Sequence, residues 1–213
     1  MRISTENKFE KDANLLADII LQYSEEMTEN ILMIYNFPDN FLDDYEDAFD
    51  SVSNDDWSSE ILLECRFSLI ALASFFYLSE SEKYQKINEI LADRVLDESN
   101  LYFNVLADDY ASKSEEAIEK LSKERMRLKE IFNSRMGEYL LDNELVKNPF
   151  NSIAILSSSN IIPKIENKLK RVDDAEKSKL SLSLIKFIEN SLSKFIETPN
   201  VRDILESFVK NKL

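Results

Sequence analysis

The sequence predicts an all-α protein, a bundle of about seven to nine helices with a buried central apolar helix near residues 57–78. The helices would form one domain, or two helical subdomains sharing one core. Three observations lead there. The 213 residues include one Gly and four Pro, too few for the tight turns that an all-β fold requires. Apolar residues make up 44 per cent, thirteen Phe and eight Tyr among them, enough to offset the entropy of ordering the chain. Those residues recur at three- and four-residue steps, the period of an α-helix.

Leu16, Ile20, Tyr23, Met27, Ile31 and Ile34 form a stripe that predicts a first helix from Thr5 to about Tyr35. Asn36-Phe37-Pro38 ends it, because the residue before a proline is driven out of the α region. A short helix is expected from Asp39 to about Val52, then a polar turn in which Asp55 or Asp56 caps a long apolar helix from Trp57 to Leu78. Ser79 with Glu82 is spaced as a capping box and opens a helix carrying Tyr84, Ile87, Leu91 and Val95 on one side. Leu101, Val105 and Leu106 suggest another short piece.

Ser112 with Glu115 has the same capping spacing and leads into a long amphipathic segment through Ile118, Leu128, Phe132 and Tyr139, with Gly137 inside it. Asn148-Pro149 reads as N-cap and first helical residue of a short helix ending in the serine-rich turn at 157–160. Pro163 is expected to start a further turn or two through Leu169. Two last helices are expected over 174–197 and 200–213, separated by Thr198-Pro199.

The charge is unevenly spread. Residues 1–110 hold 25 acids and 7 bases, residues 111–213 hold 16 acids and 19 bases, and the total is −15. The chain therefore divides into an acidic half, 1–110, and a mildly basic half, 111–213. Between Lys11 and Arg66 there are fifteen acids and no Lys or Arg. Phosphate charge would repel that half, so it is not expected to bind nucleic acid directly, whereas a basic protein partner would be steered toward it.

Several chemistries lack their residues. Without a single His, the Ser-His-Asp and Cys-His arrangements and the usual zinc and di-iron sites cannot be built. One Gly leaves no phosphate-cradling loop, and one Cys leaves no cysteine-rich metal site. Asp43-Asp44-Tyr45-Glu46-Asp47 matches the DDxxD string with which isoprenoid synthases hold magnesium against a diphosphate. The second acidic motif that such an enzyme needs is missing. Asn54-Asp55-Asp56-Trp57-Ser58 lies too close in sequence, and Leu62 stands where an acid is required. No catalytic residue, metal site or cofactor is expected.

Cys65 has no partner for a disulfide and sits in the apolar tract 61–78, where a packed, inert thiol is expected. That tract is interrupted by Glu64 and Arg66 and is too short to cross a bilayer, and the first sixteen residues carry acids where a signal peptide is apolar. A cytoplasmic protein with no membrane contact is expected.

The stretch 36–60 holds nine acids, no cation and five aromatic rings. Projected at about 100° per residue from Asp39, the acids of 39–52 fall between roughly −20° and 140° and the apolar residues between roughly 180° and 300°. One face is built to dock on the protein and the other to present carboxylates. The like-charge neighbours cost on the order of 1 kcal/mol together, less with salt, so a merely solvated face is affordable. The binding reading assigns steering and ion pairing to Asp43, Asp47, Asp50, Asp55 and Asp56, with Tyr45 and Trp57 as aromatic anchors.

The expectation is a non-catalytic inhibitory protein that neutralises a basic nuclease-like or nucleic-acid-binding partner, as immunity proteins and phage-encoded inhibitors do. Two alternatives stand beside it. One is an assembly module that self-associates through the acidic half and the bases Lys120, Lys123, Arg127, Lys164, Lys168 and Arg171; the other, less favoured, is a magnesium-dependent carboxylate enzyme.

Overall fold

The computed structural model of the chain describes residues 2–36, 56–77, 86–96, 115–141, 147–166 and 174–210. Among these residues all regular structure is helical: α1 (Arg2–Asn36), α2 (Asp56–Tyr77), α3 (86–96), α4 (Glu115–Leu141), α5 (Pro149–Glu166), α6 (Asp174–Glu197) and α7 (Pro199–Lys210). The expected helices over 39–52 and near 101–106, and the capping pairs at Ser79 and Ser112, fall outside the described residues.

Every side chain from Ile61 to Ser74 of α2 is buried. A helix apolar all round has no solvent face and must be enclosed by others. Here it packs against α1, α4, α5, α6 and α7, and Ser74 Oγ donates to Asn88 Oδ1 of α3 at 3.0 Å. Glu60 and Glu64 meet the C-terminal part of α5 while Phe76 meets Phe150 at its start, so the two helices run antiparallel. Phe67 lies edge-on to Phe132 at 5.4 Å and Glu64 reaches Tyr139, which makes α4 antiparallel to α2 as well.

The other helices each turn one stripe inward. On α1 it is Ala13, Leu16, Ala17, Ile20, Ser24, Met27, Thr28 and Ile31, at helical spacing. Tyr23 at its edge packs on Phe195 of α6 and donates its hydroxyl to the Ser191 carbonyl at 3.0 Å. Phe9 meets Phe208 of α7 in a tilted ring contact at 5.4 Å, and Ser207 donates to Asp12 at 2.9 Å. One hydrophobic cluster takes in residues from Ala13 to Phe208 and draws on both the acidic and the basic half.

Local signals explain the start of α5 and the junction of α6 with α7. Asn148 Oδ1 accepts from the Asn151 N–H at 3.2 Å and the Asn148 carbonyl from Ser152 N at 3.1 Å, so Asn148 caps α5 with Pro149 as its first residue. Thr198 stands between α6 and α7, its hydroxyl turned back onto α6. Its carbonyl accepts from Arg202 N at 3.0 Å, and its hydroxyl donates back to the Lys194 carbonyl at 3.1 Å.

The break expected at 157–160 does not occur: α5 runs unbroken from Pro149 to Glu166. Ser158 Oγ donates to the Ala154 carbonyl at 2.6 Å and Ser159 Oγ to Leu156 at 2.7 Å, so the serines bond back onto their own helix instead of turning out of it. Pro163 is accommodated because it and Ser159, whose carbonyl loses its usual N–H partner, both lie on the exposed side.

Gly137 lies inside α4 without positive φ, and a Cβ placed there meets nothing within 4 Å. The glycine therefore only raises the cost of ordering the helix. Gly137→Ala is expected to stabilise the protein by up to about 1 kcal/mol, read as a higher urea midpoint. A lower midpoint would mean that α4 packs differently at this position.

Candidate functional site

Of the residues expected to bind a partner, Asp43, Tyr45, Asp47, Asp50 and Asp55 lie outside the described residues. Asp56 and Trp57 are placed as the first two residues of α2, their side chains outside the description. The acidic stretch thus leads directly into the buried helix. One turn further on, Glu60 is still exposed and pairs with Lys164 of α5. One turn beyond that, Glu64 is almost completely buried.

Elsewhere, too, charge of the acidic half is met by cations from other helices. Arg94 pairs with Asp18 at 2.7 Å, Lys86 with Glu10 at 2.5 Å and Arg125 with Asp93 at 3.4 Å. These bridges are exposed, so each contributes only about 0–1 kcal/mol. Lys86 and Arg94, eight residues apart on α3, meet Glu10 and Asp18, eight apart on α1, so the pairs set the two helices parallel. Arg66 is buried to 3 per cent exposure; its Nε donates to Ser24 Oγ at 3.3 Å and its Nη2 lies 3.6 Å from Glu25.

The strongest concentration of buried polarity is at Glu64. Tyr139 donates its hydroxyl to Oε1 at 2.7 Å, Asn160 Nδ2 donates to the same oxygen at 3.0 Å, and Arg135 Nε donates to Oε2 at 3.2 Å. Arg135 also forks onto Glu138, one turn along α4, at 2.9 and 3.1 Å. Three donors from two helices converge on one carboxylate of a third. Hydrogen bonds to a charged group are each worth about 1.5–3 kcal/mol, and an axial slip of α4 or α5 by one residue would lose them while leaving the carboxylate desolvated.

Burial pushes the Glu64 carboxyl above its ordinary value, against the opposing pull of Tyr139, Arg135 and Asn160. Burial also raises the Tyr139 phenol well above its usual range, with the Glu64 charge adding to it. Arg135 is partly desolvated too, but Glu64 and Glu138 hold its guanidinium above its ordinary value and therefore charged. Ser157 Oγ, fully buried, lies next to the phenol and opposes the phenol's rise. Cys65 is buried and held by Thr28, and burial pushes its thiol up to about 12, which makes it the inert residue expected.

The arrangement can hold three helices in register. With Tyr139 fully enclosed and Glu64 at 4 per cent exposure, it presents almost nothing to a reactant. Among the described residues no group of three or more Asp, Glu or Cys is placed to hold a metal ion, and no helix is long and apolar enough to cross a membrane. The chain matches no family model, no curated protein and no solved structure.

Sequence reading assigned no role to Glu64, Arg66, Tyr139 or Asn160. The available signal was the two charges inside an otherwise apolar tract, which on a helix enclosed from all sides require buried partners. Which helices supply the partners is not written in the local pattern.

The raised Glu64 pKa fixes the sign of a pH effect. The folded state holds the proton more tightly than the unfolded state does. Its contribution is therefore fully present below the ordinary glutamate value of 4.5 and is lost as pH rises through the higher folded value. Urea melts of wild type and Glu64→Gln across pH 4–8 are expected to show wild-type stability, relative to the variant, falling as pH rises. The opposite slope would mean that the three hydrogen bonds outweigh desolvation.

Proposed function

We propose that this chain is a non-catalytic protein-binding protein whose acidic segment over 39–57 receives a basic protein partner and covers that partner's nucleic-acid-binding surface. This is the mode of action of an immunity protein or a phage-encoded inhibitor. The observation that carries the reading is the run from Asp12 to Cys65, fifteen acids without one Lys or Arg. At least three cations of the second half, Arg125, Arg135 and Lys164, reach across to acids of the first, against an excess of eighteen acids there. They engage Asp93, Glu64 and Glu60, so none of the three is spent on the residues assigned to the partner. The absence of His and the single Gly favour binding over catalysis.

The self-association reading is weaker, because Lys164, one of the bases it needs, is engaged with Glu60 of its own chain. A magnesium-dependent reaction has no group of three or more acids placed for the ion among the described residues.

The test is charge reversal. A partner recovered from native lysate at low salt and released at high salt is expected to be a basic nucleic-acid-binding protein. The triple variant Asp43→Lys, Asp47→Lys, Asp50→Lys should bind it roughly 100-fold more weakly and with a flatter salt dependence. Unchanged affinity would remove the assignment.

A further inference from the structure

α1 and α6 turn two matching lines of side chains outward. On α1 the line is Asp18, Gln22, Glu26 and Glu29; on α6, read backward, it is Lys194, Asn190, Lys186 and Ser183, and all eight are exposed. Both lines advance by four, four and three residues, so each keeps to one side of its helix. Anion, amide and anion on one helix answer cation, amide and cation on the other. Among the described residues Lys186 and Lys194 have no acid within ion-pair distance, and Glu26 and Glu29 have no base. One oxygen of Asp18 is taken by Arg94. Beside the two lines Met33 is 56 per cent and Leu182 61 per cent exposed.

Within one chain the lines do not meet, because the helices pack side by side through Tyr23, Ser191 and Phe195 and both lines face solvent. Along α1 from Tyr23 back to Phe9 the contacts advance from Phe195 to Phe208, so α6 and α7 run against α1. The bond from Tyr23 to the Ser191 carbonyl sets Gln22 level with Asn190 to within about one turn. A two-fold axis parallel to the helices keeps that level while laying α1 of one copy on α6 of the other, and it does so twice. From this order we infer that a second copy of the chain docks on the α1–α6 face: Lys194 meets Asp18, Asn190 meets Gln22, Lys186 meets Glu26, Ser183 meets Glu29, and Leu182 lies beside Met33. A uniformly basic or acidic partner would satisfy one line and be repelled by the other, whereas a rotated copy satisfies both. From Leu15 to Met33 the face is about 27 Å long and two helices of about 10 Å wide, roughly 500 Å² a side, the scale of a weak and reversible dimer. The net charge of −15 opposes approach. Screening over about 10 Å at about 0.1 M salt leaves the contact pairs to decide. The face shares no residue with the segment proposed for the basic partner.

Sedimentation equilibrium of the full chain tests this. Wild type is expected to show a monomer–dimer equilibrium within about 0.05–1 mM protein at about 0.1 M salt. Reversing the charge of one line, Lys186→Glu with Lys194→Glu, or of the other, Glu26→Lys with Glu29→Lys, should weaken self-association about 100-fold or more. Mixed in equal amounts, the two variants should pair, because the acidic face of one then meets the basic face of the other. All four positions are exposed, so both variants should keep the wild-type circular dichroism spectrum. A wild type that stays monomeric, variants that dimerise as wild type does, or a mixture that stays monomeric would each overturn the inference. So would loss of folding in either variant, which would show those charges to support the single chain.

Discussion

The structure depends on how a helix with no solvent face keeps two charges. α2 is enclosed from Ile61 to Ser74, yet Glu64 and Arg66 sit within that span. An unpaired buried charge costs far more than one packed side chain returns, so the surrounding helices must bring partners to these points. α1 supplies Ser24 and Glu25 to Arg66; α4 and α5 supply Tyr139, Arg135 and Asn160 to Glu64. Apolar contacts among these helices would tolerate some sliding and repacking. The polar contacts would not, and they select one register.

The same requirement links the core to the charge asymmetry. Arg135 and Lys164 belong to the basic half, and both reach the N-terminal part of α2, where the acidic stretch enters the bundle. One cation goes to a buried acid and the other to an exposed acid a single turn away. The basic half thus contributes to the fold by neutralising the acids closest to the core. The acids of 39–55 stand further along the chain toward the N-terminus, and the partner-binding proposal concerns them.

α1, α5 and the short α7 each bury a dense stripe, and among the described side chains of α4 Leu128, Phe132 and Tyr139 are buried, with Ile131 and Met136 packed beside them. For α4 the Glu64 contact, which specifies register in the core, is also one of its attachments to α2.

Much of this was legible in the sequence. The stripes of α1, α6 and α7, the Asn148-Pro149 start, the break at Thr198-Pro199 and the burial of the tract after Trp57 all follow from periodicity and capping, which act over one or two turns. The unbroken α5 was not legible, because a serine-rich run is as compatible with a turn as with hydroxyls bonded back to a helix, and packing of Ser157 and Ser158 into the core decided between them. Nor was the convergence of Tyr139, Arg135 and Asn160 on a glutamate more than seventy residues away. Local pattern determines which segments become helices and which faces they must bury. Only the three-dimensional arrangement decides which distant groups share a carboxylate, because that depends on how several buried faces can be satisfied at once.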